Sequence, residues 1–144
     1  RLRELFKEEF REDFVIPTKI YSDEVLELDK KFDIHGMMHI TGGAFTKLRQ
    51  GNPSEPLPIN ADVIITRSHN LSPHQIFNEI YSRVVLDEEM YKTFNCGIGF
   101  IMSVSKKDAP KILQDIDAEV IGEVVPGQGK IRIESMFSDR LVEY

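Results

Sequence analysis

The sequence is poor in the residues that define several large classes of protein. Its 144 residues include one cysteine, Cys96, and no tryptophan. A single cysteine excludes an intramolecular disulfide and a metal site built from several cysteines, and it is typical of a reducing compartment. No apolar run approaches the roughly 18 residues that a membrane-spanning helix needs. The sequence therefore predicts no membrane partner.

Positive charge is also in deficit. Lysine and arginine number 18 against 24 aspartates and glutamates, which gives a net charge of −6 with the two signs interspersed. Proteins that bind duplex nucleic acid concentrate positive charge on one face or stretch, and this sequence has no such stretch. We therefore expect no nucleic-acid partner.

Length and apolar content predict one compact domain over 1–144. Hydrophobic residues make up 41%, and a chain of this length buries roughly two thirds of its unfolded surface. An apolar stripe at helical spacing predicts a linker helix (1–12) ahead of the domain proper (16–134) and a tail (135–144). Because the chain opens at Arg1 inside this stripe, and not at a methionine, we expect it to be a piece of a longer protein.

Predicted helices and strands alternate along the chain, and the last two strands are predicted to form an antiparallel hairpin across Pro126–Gly129. This order predicts an α/β or α+β sandwich, in which helices pack on a mixed sheet. Three of the seven prolines fall between 51 and 60 and predict a surface loop. The predicted helices are 1–12, 22–31, 44–50, 72–84, 87–93 and 108–116, and the predicted strands are 35–40, 61–66, 97–104, 120–125 and 130–134, with an extended segment at 14–21.

The first candidate site is the run His39-Ile40-Thr41-Gly42-Gly43. Here a predicted strand ends, two glycines turn the chain and a helix begins, so backbone N–H groups are available to a phosphate or carboxylate. Thr41 is a candidate helix cap or anion donor, and His39 a candidate donor or positive charge. The simpler alternative is a structural strand-to-helix turn, because short glycine motifs have many false positives.

A second run, Asn95-Cys96-Gly97-Ile98-Gly99, opens a predicted strand. Asn95 offers both a donor and an acceptor at its start. Strand alternation places Cys96 in an apolar stripe, which indicates a buried, inert thiol and not a nucleophile.

The four histidines predict no metal site. His35 and His39 are four residues apart in a strand and not in a helix, so their side chains are widely separated. His69 and His74 flank a predicted helix start and are expected to be loop and surface residues.

Two motifs together resemble a known family. The run His35–Gly43 (HGMMHITGG) resembles the glycine-rich signature of phosphoribosylformylglycinamidine cyclo-ligases, also called aminoimidazole ribonucleotide synthetases. The run 89–99 (EMYKTFNCGIG) resembles their second signature. The segments 17–21 (PTKIY) and 121–124 (IGEV) are similar to the entry to that family's C-terminal half and to its closing hairpin. Order and spacing agree over about 16–134.

The resemblance implies the C-terminal domain of a two-domain enzyme of purine biosynthesis, cytoplasmic and homodimeric, with a partly ferredoxin-like fold. Such an enzyme closes the ring of formylglycinamidine ribonucleotide to give aminoimidazole ribonucleotide. It uses ATP to activate the formyl oxygen, which the amidine nitrogen then displaces. The ligands of ATP and Mg²⁺ are expected mainly in an N-terminal ATP-binding half outside the matched region, so the isolated chain is expected to be inactive.

The resemblance also implies roles for the candidate residues. Thr41, Gly42 and Gly43 would bind a phosphate group of the substrate or nucleotide. His39, as the catalytic residue, would orient or neutralise this phosphate, and Asn95 would line the same cleft or brace its loop. Phosphoryl transfer depends largely on positioning and charge stabilisation, so a phosphate-binding turn suits that reaction.

Two departures from the family pattern limit the resemblance. Ala44 stands where the family usually has a third glycine, so we expect slightly lower backbone freedom there. The run 47–52 (KLRQGN) replaces a usual proline-rich stretch, so loop contacts are not carried over.

Other functions stay open on the residues alone. One is a non-catalytic binding or regulatory paralogue with the same fold. Another is a structural domain that dimerises through its exposed sheet or through the stripe Leu2, Leu5, Phe6 and Phe10. Related ATP-dependent enzymes act on thiamine monophosphate, selenide or hydrogenase maturation intermediates, but their glycine motifs diverge further from this one.

Overall fold

A computed structural model describes residues 2–7, 12–49, 60–84 and 86–144 of the protein. Helices and strands alternate along this part of the chain. No helix in it is long and apolar enough to cross a membrane. The α-helices are α1 (Leu2–Phe6), α2 (Ser22–Lys31), α3 (Gln75–Val84), α4 (Asp87–Thr93) and α5 (Ala109–Asp115). Two 3-10 helices span Glu12–Val15 and Ala44–Arg49. The strands are β1 (Ile34–His39), β2 (Ala61–Ile65), β3 (Phe100–Val104), β4 (Gly122–Pro126), β5 (Ile131–Glu134) and β6 (Leu141–Glu143).

The strands form two sheets. In the smaller sheet β1 pairs antiparallel with β3, and His39 lies opposite Phe100 at one end. The larger sheet has the order β4-β2-β5-β6. In it β2 runs antiparallel to β4 but parallel to β5, and β6 runs antiparallel to β5. The predicted fold class, an α/β sandwich with a mixed sheet and packed helices, is confirmed.

The predicted hairpin between the last two strands of 16–134 is wrong. Strands β4 and β5 both pair with β2, which lies between them. Gly122 on β4 and Ile133 on β5 flank the same residue, Ile65. The connection at 126–129 is short and rich in glycine, as a hairpin loop would be, but it passes over the start of β2 instead.

The buried carboxylate of Asp62 on β2 holds this connection in place. Its Oδ1 accepts hydrogen bonds from the backbone N–H groups of Gln128, at 2.7 Å, and Lys130, at 2.9 Å. Its Oδ2 accepts one from the guanidinium of Arg132, at 2.8 Å. A Cβ atom at Gly127 would overlap the Asp62 carboxylate, so the connection needs a glycine there. The backbone donors, Lys130 first, hold the pKa of Asp62 below its usual value.

The core lies between the larger sheet, helices α3 and α4, and the 3-10 helix at 44–49. Phe45 in that helix is fully buried and meets the Tyr91 ring of α4 edge to face, with ring centroids 5.4 Å apart. The glycine run at 41–43 is therefore followed directly by a segment anchored in the core. The buried apolar residues of this cluster are Phe6, Ile40, Ala44, Phe45, Leu48, Ile65, Ile80, Met90, Tyr91, Cys96, Ile98, Ile131, Ile133 and Val142.

Several element boundaries differ from the predicted ones. Phe14 lies in a 3-10 helix and not in an extended segment. Ser22 is the first residue of α2 and not its cap, which is Tyr21, and no side-chain hydrogen bond caps that helix. Helix α3 begins at Gln75, three residues after the predicted Ser72. The segment after the glycine turn is 3-10 and not α-helical.

Some predicted features fall on residues that the structure does not describe. These are residues 8–11 of the predicted helix 1–12, including Phe10, and most of the predicted proline-rich loop. The predicted extent of that helix is wrong in the described residues, because α1 ends at Phe6, Lys7 has a φ of +52° and Glu12 begins a 3-10 helix. The predicted helix at 87–93 is confirmed with the same bounds.

The last ten residues, whose conformation the sequence leaves open, are tied to α4. The fully buried carboxylate of Asp87 accepts hydrogen bonds from the hydroxyls of Ser135 and Ser138. The Tyr91 hydroxyl accepts one from the backbone N–H of Met136, at 2.7 Å. Burial raises the pKa of Tyr91 to about 12, so this hydroxyl stays protonated at neutral pH. Strand β6 then completes the sheet.

The Asp62 contacts predict how stability depends on charge and pH. We expect Asp62→Asn to lower the urea midpoint of unfolding at pH 7, because a neutral amide loses the ion pair and one acceptor. Since the folded pKa lies below the unfolded value of 3.8, this stabilisation is present above 3.8 and is lost as pH falls through the folded pKa. The difference between wild type and variant should therefore shrink in acid.

Urea titrations at several pH values measure this difference. Asp29→Asn, on the exposed side of α2, is the matched control and should unfold like wild type. Equal midpoints for Asp62→Asn and wild type at pH 7 would contradict the role given to the buried carboxylate.

Candidate functional site

The glycine run forms a tight turn at the end of β1. The backbone N–H of Ala44 donates to the carbonyl of Thr41 at 2.7 Å, which closes a four-residue turn. Gly43 has φ +82°, the conformation that the third position of a type II turn demands and that glycine adopts without strain. Ala44 also has a positive φ, +41°, and its methyl group is fully buried. Thr41, Gly42 and Gly43 are exposed, so the predicted site residues of this run face solvent.

The conformation of Ala44 shows what the departure from the family's usual third glycine costs. The position still takes a left-handed conformation, which costs an alanine about 1 kcal/mol or more. Burial of the methyl group in the core offsets part of that cost.

A lysine that sequence reasoning did not single out completes the turn. The Lys47 ammonium donates to the Thr41 hydroxyl oxygen at 2.8 Å and to the His39 carbonyl at 2.8 Å. Its stem crosses the turn, since a Cβ atom at Gly43 would lie 3.3 Å from Lys47 Cγ. No local sequence pattern marks Lys47, because its contact with the turn depends on the positive φ of Gly43.

His39 lies in a cluster of aromatic rings beside this turn. Its ring centroid is 5.8 Å from that of Tyr21 and 6.1 Å from that of Phe100, and the last two are 5.3 Å apart. Gly99 gives the Tyr21 hydroxyl its place, because a Cβ there would overlap it. The Lys19 ammonium lies 5.5 Å from the Tyr21 ring centre, a cation–π contact.

This cluster joins three of the segments that carry the family resemblance. Tyr21 closes 17–21, His39 belongs to the glycine-rich run, and Gly99 ends the second run. The backbone N–H of Ile40 donates to the carbonyl of Gly99 at 2.9 Å, which links the two glycine runs directly. The sequence analysis considered one cleft for the two glycine runs but did not predict that the segment 17–21 meets them.

Asn95 opens a second tight turn. The backbone N–H of Ile98 donates to the Asn95 carbonyl at 2.9 Å, and Cys96 and Gly97 both have positive φ, +50° and +92°. This is the pattern of a type I′ turn. The Asn95 side-chain oxygen accepts from the N–H of Gly97 at 3.2 Å. The side chain thus braces its own turn. That Asn95 lines the cleft or braces the loop at 41–43 stays a prediction.

The predicted strand from Gly97 begins only at Phe100, so strand alternation does not govern Cys96. The thiol is buried all the same. Burial raises its pKa, so the reactive thiolate is disfavoured. The prediction of a buried thiol is confirmed, although through a turn and not through a strand.

The histidines described in the structure do not form a common site. His35 and His39 are exposed near opposite ends of β1. His69 lies in a loop, as expected, but it is half-buried, and both of its ring nitrogens are enclosed with no hydrogen-bond partner among the described residues. In the described ranges no group of three or more His, Cys, Asp or Glu residues is placed to hold a metal ion.

Comparison with known proteins gives this arrangement a context. The family model for the C-terminal domain of AIR synthase related proteins matches residues 3–134. A protein of Methanococcus vannielii named phosphoribosylformylglycinamidine cyclo-ligase is 40% identical over 141 residues, which cover 92% of this chain and 37% of that protein.

Two more proteins with the same name give similar values. One from Clostridium novyi is 40% identical over 140 residues, or 88% of this chain and 40% of that protein. One from Methanocaldococcus jannaschii is 42% identical over 123 residues, which cover 79% of this chain and 33% of that protein. The chain thus spans 40% or less of the length of these relatives.

The contact between Gly99 and Tyr21 predicts a specific sensitivity. We expect Gly99→Ala to push Tyr21 away from His39, at a cost of about 1–3 kcal/mol in the free energy of unfolding, because the new methyl group overlaps the hydroxyl. NMR shifts of the His39 ring protons report the displacement, since they sense the neighbouring rings. Gly36→Ala is the matched control on β1, where a Cβ meets nothing within 4 Å. Unchanged His39 shifts in Gly99→Ala would contradict the packing described.

Proposed function

The chain belongs to the AIR synthase related protein family as its C-terminal domain, and on that premise we propose that it is the C-terminal part of a phosphoribosylformylglycinamidine cyclo-ligase. The observation that carries the proposal is the family match over 3–134 together with 40% identity to proteins of that name. The reaction is the ATP-dependent closure of formylglycinamidine ribonucleotide to aminoimidazole ribonucleotide.

In this proposal the turn at 41–43 binds a phosphate group of substrate or nucleotide. Its support is local. The turn is exposed, its conformation is fixed by Gly43, and its hydroxyl and backbone N–H groups are donors that match phosphate oxygens. His39 orients or neutralises that phosphate from within the ring cluster, and Asn95 braces the neighbouring loop. These residues position the substrate, and correct positioning supplies much of the rate in phosphoryl transfer.

ATP and Mg²⁺ are expected to bind mainly elsewhere. The Lys47 ammonium at the turn attracts a phosphate and repels a divalent cation, which prefers a site with carboxylate oxygens. We therefore assign the Mg²⁺ ligands to the part of the protein that corresponds to the rest of the relatives' length.

The remaining parts of the proposal follow from the family. The N-terminal half of the same protein supplies the other wall of the active site, the complete enzyme is a homodimer, and it works in the cytoplasm. The isolated chain has no cyclo-ligase activity of its own.

A chimaera tests the proposal. The chain is fused to the part of the Methanococcus vannielii relative that precedes its matched region, and the product is assayed for ATP-dependent formation of aminoimidazole ribonucleotide. We expect turnover by the chimaera and none by the isolated chain or by the relative's part alone. A folded chimaera without turnover would contradict the proposed activity, and turnover by the isolated chain would contradict the division between halves.

Variants of the chimaera test the site. We expect His39→Ala with Thr41→Val to lower kcat/KM by about tenfold or more, since each removes a polar contact to a charged group. His35→Ala, exposed near the other end of β1, is the matched control and should keep full activity. Unchanged kinetics in the double variant would remove these residues from the site.

A further inference from the structure

The Lys47 ammonium has one N–H donor at the exposed turn for which the described residues provide no acceptor. An ammonium has three N–H donors and no acceptor. Two of them are taken, one by the His39 carbonyl and one by the Thr41 hydroxyl oxygen. Across the described ranges its ammonium has no carboxylate within ion-pair distance. The third N–H and the full positive charge of Lys47 are therefore available to a ligand at the turn.

The same contact fixes the direction of the Thr41 hydroxyl. Because Lys47 can only donate, Thr41 Oγ1 is the acceptor in their 2.8 Å hydrogen bond. The hydroxyl proton of Thr41 is then free to be donated to a third group. Two donors thus lie side by side at the turn, the third N–H of Lys47 and the hydroxyl of Thr41.

Glycines keep this point open. The lack of a side chain at Gly43 lets the Lys47 stem lie across the turn, with Lys47 Cγ 3.3 Å from where a Cβ would stand. A Cβ at Gly42 would meet nothing within 4 Å, so the space beside the turn is clear. A group that consists of acceptors and carries negative charge matches this arrangement, as a phosphate monoester does.

We infer that Lys47 and Thr41 form a phosphate-binding pair, in which Lys47 supplies the charge and directs the Thr41 hydroxyl toward the ligand. The inference rests on the proposed function for the identity of the phosphate, which belongs either to formylglycinamidine ribonucleotide or to ATP. It adds a binding residue from the very segment, 47–52, in which this sequence departs from the family pattern.

Binding of inorganic phosphate to the chain tests the pair without any enzymatic activity. In an NMR titration at low ionic strength, phosphate should shift the backbone amide signals of 41–43 in wild type. Lys47→Met should weaken the apparent affinity by about tenfold or more, because it removes a charged hydrogen bond. Lys47→Arg keeps the charge and should retain part of the binding. Thermal unfolding of each variant checks that the fold is kept.

Lys106→Met is the matched control. Lys106 is an exposed lysine, and it follows β3 at the end of the smaller sheet opposite to His39. This variant should bind phosphate as wild type does. No phosphate-dependent shift at 41–43 in wild type would overturn the inference. So would a Lys47→Met variant that is folded and binds like wild type.

Kinetics of the chimaera then identify the source of the phosphate. Lys47→Met should raise one KM by about tenfold, because the pair holds the phosphate of one of the two substrates. A raised KM for formylglycinamidine ribonucleotide assigns the substrate phosphate, and a raised KM for ATP assigns the nucleotide. Phosphate binding that depends on Lys47 in a chimaera without turnover would support the pair while contradicting the proposed function. If the chimaera is active and Lys47→Met changes neither KM, the phosphate-binding pair is contradicted while the proposed function stands.

Discussion

A negative charge inside the protein organises the larger sheet. The Asp62 carboxylate is removed from water at the start of β2, and a buried carboxylate is stable only when donors and a countercharge surround it. The chain supplies them by carrying Gln128, Lys130 and Arg132 across the strand. That crossing separates β4 from β5 and lets β2 lie between them. The order of the sheet thus follows from how one charge is satisfied.

The larger sheet in turn supports the candidate site through the core. Strand β5 packs against the 3-10 helix at 44–49, and Phe45 in that helix packs on Tyr91 of α4. Three residues after Thr41 the chain is already fully buried, at Ala44. The site therefore combines an exposed set of donors with a foundation that cannot easily move. Binding sites gain from such support, because donors held in place lose little freedom when the ligand arrives.

The sequence predicted what depends on local pattern and missed what depends on partners far along the chain. Helix α4 has its predicted bounds because its charges and apolar spacing are local. The hairpin was wrong because loop composition does not reveal that β2, some sixty residues earlier, lies between its strands. The resemblance located the turn at His39–Gly43, but Lys47 escaped notice. Its position depends on the φ of Gly43, which residue types alone do not give.

The charged end of the candidate site is contained in one short stretch of chain. His39, Thr41, Gly43 and Lys47 lie within nine residues, and both hydrogen bonds described for the Lys47 ammonium go to this stretch. A substitution at position 47 would therefore change the charge beside the turn at a residue that lies in no strand and is not one of the buried apolar cluster. The charge that the turn prefers in a ligand is therefore set at one position, separately from the strands and the core that hold the turn.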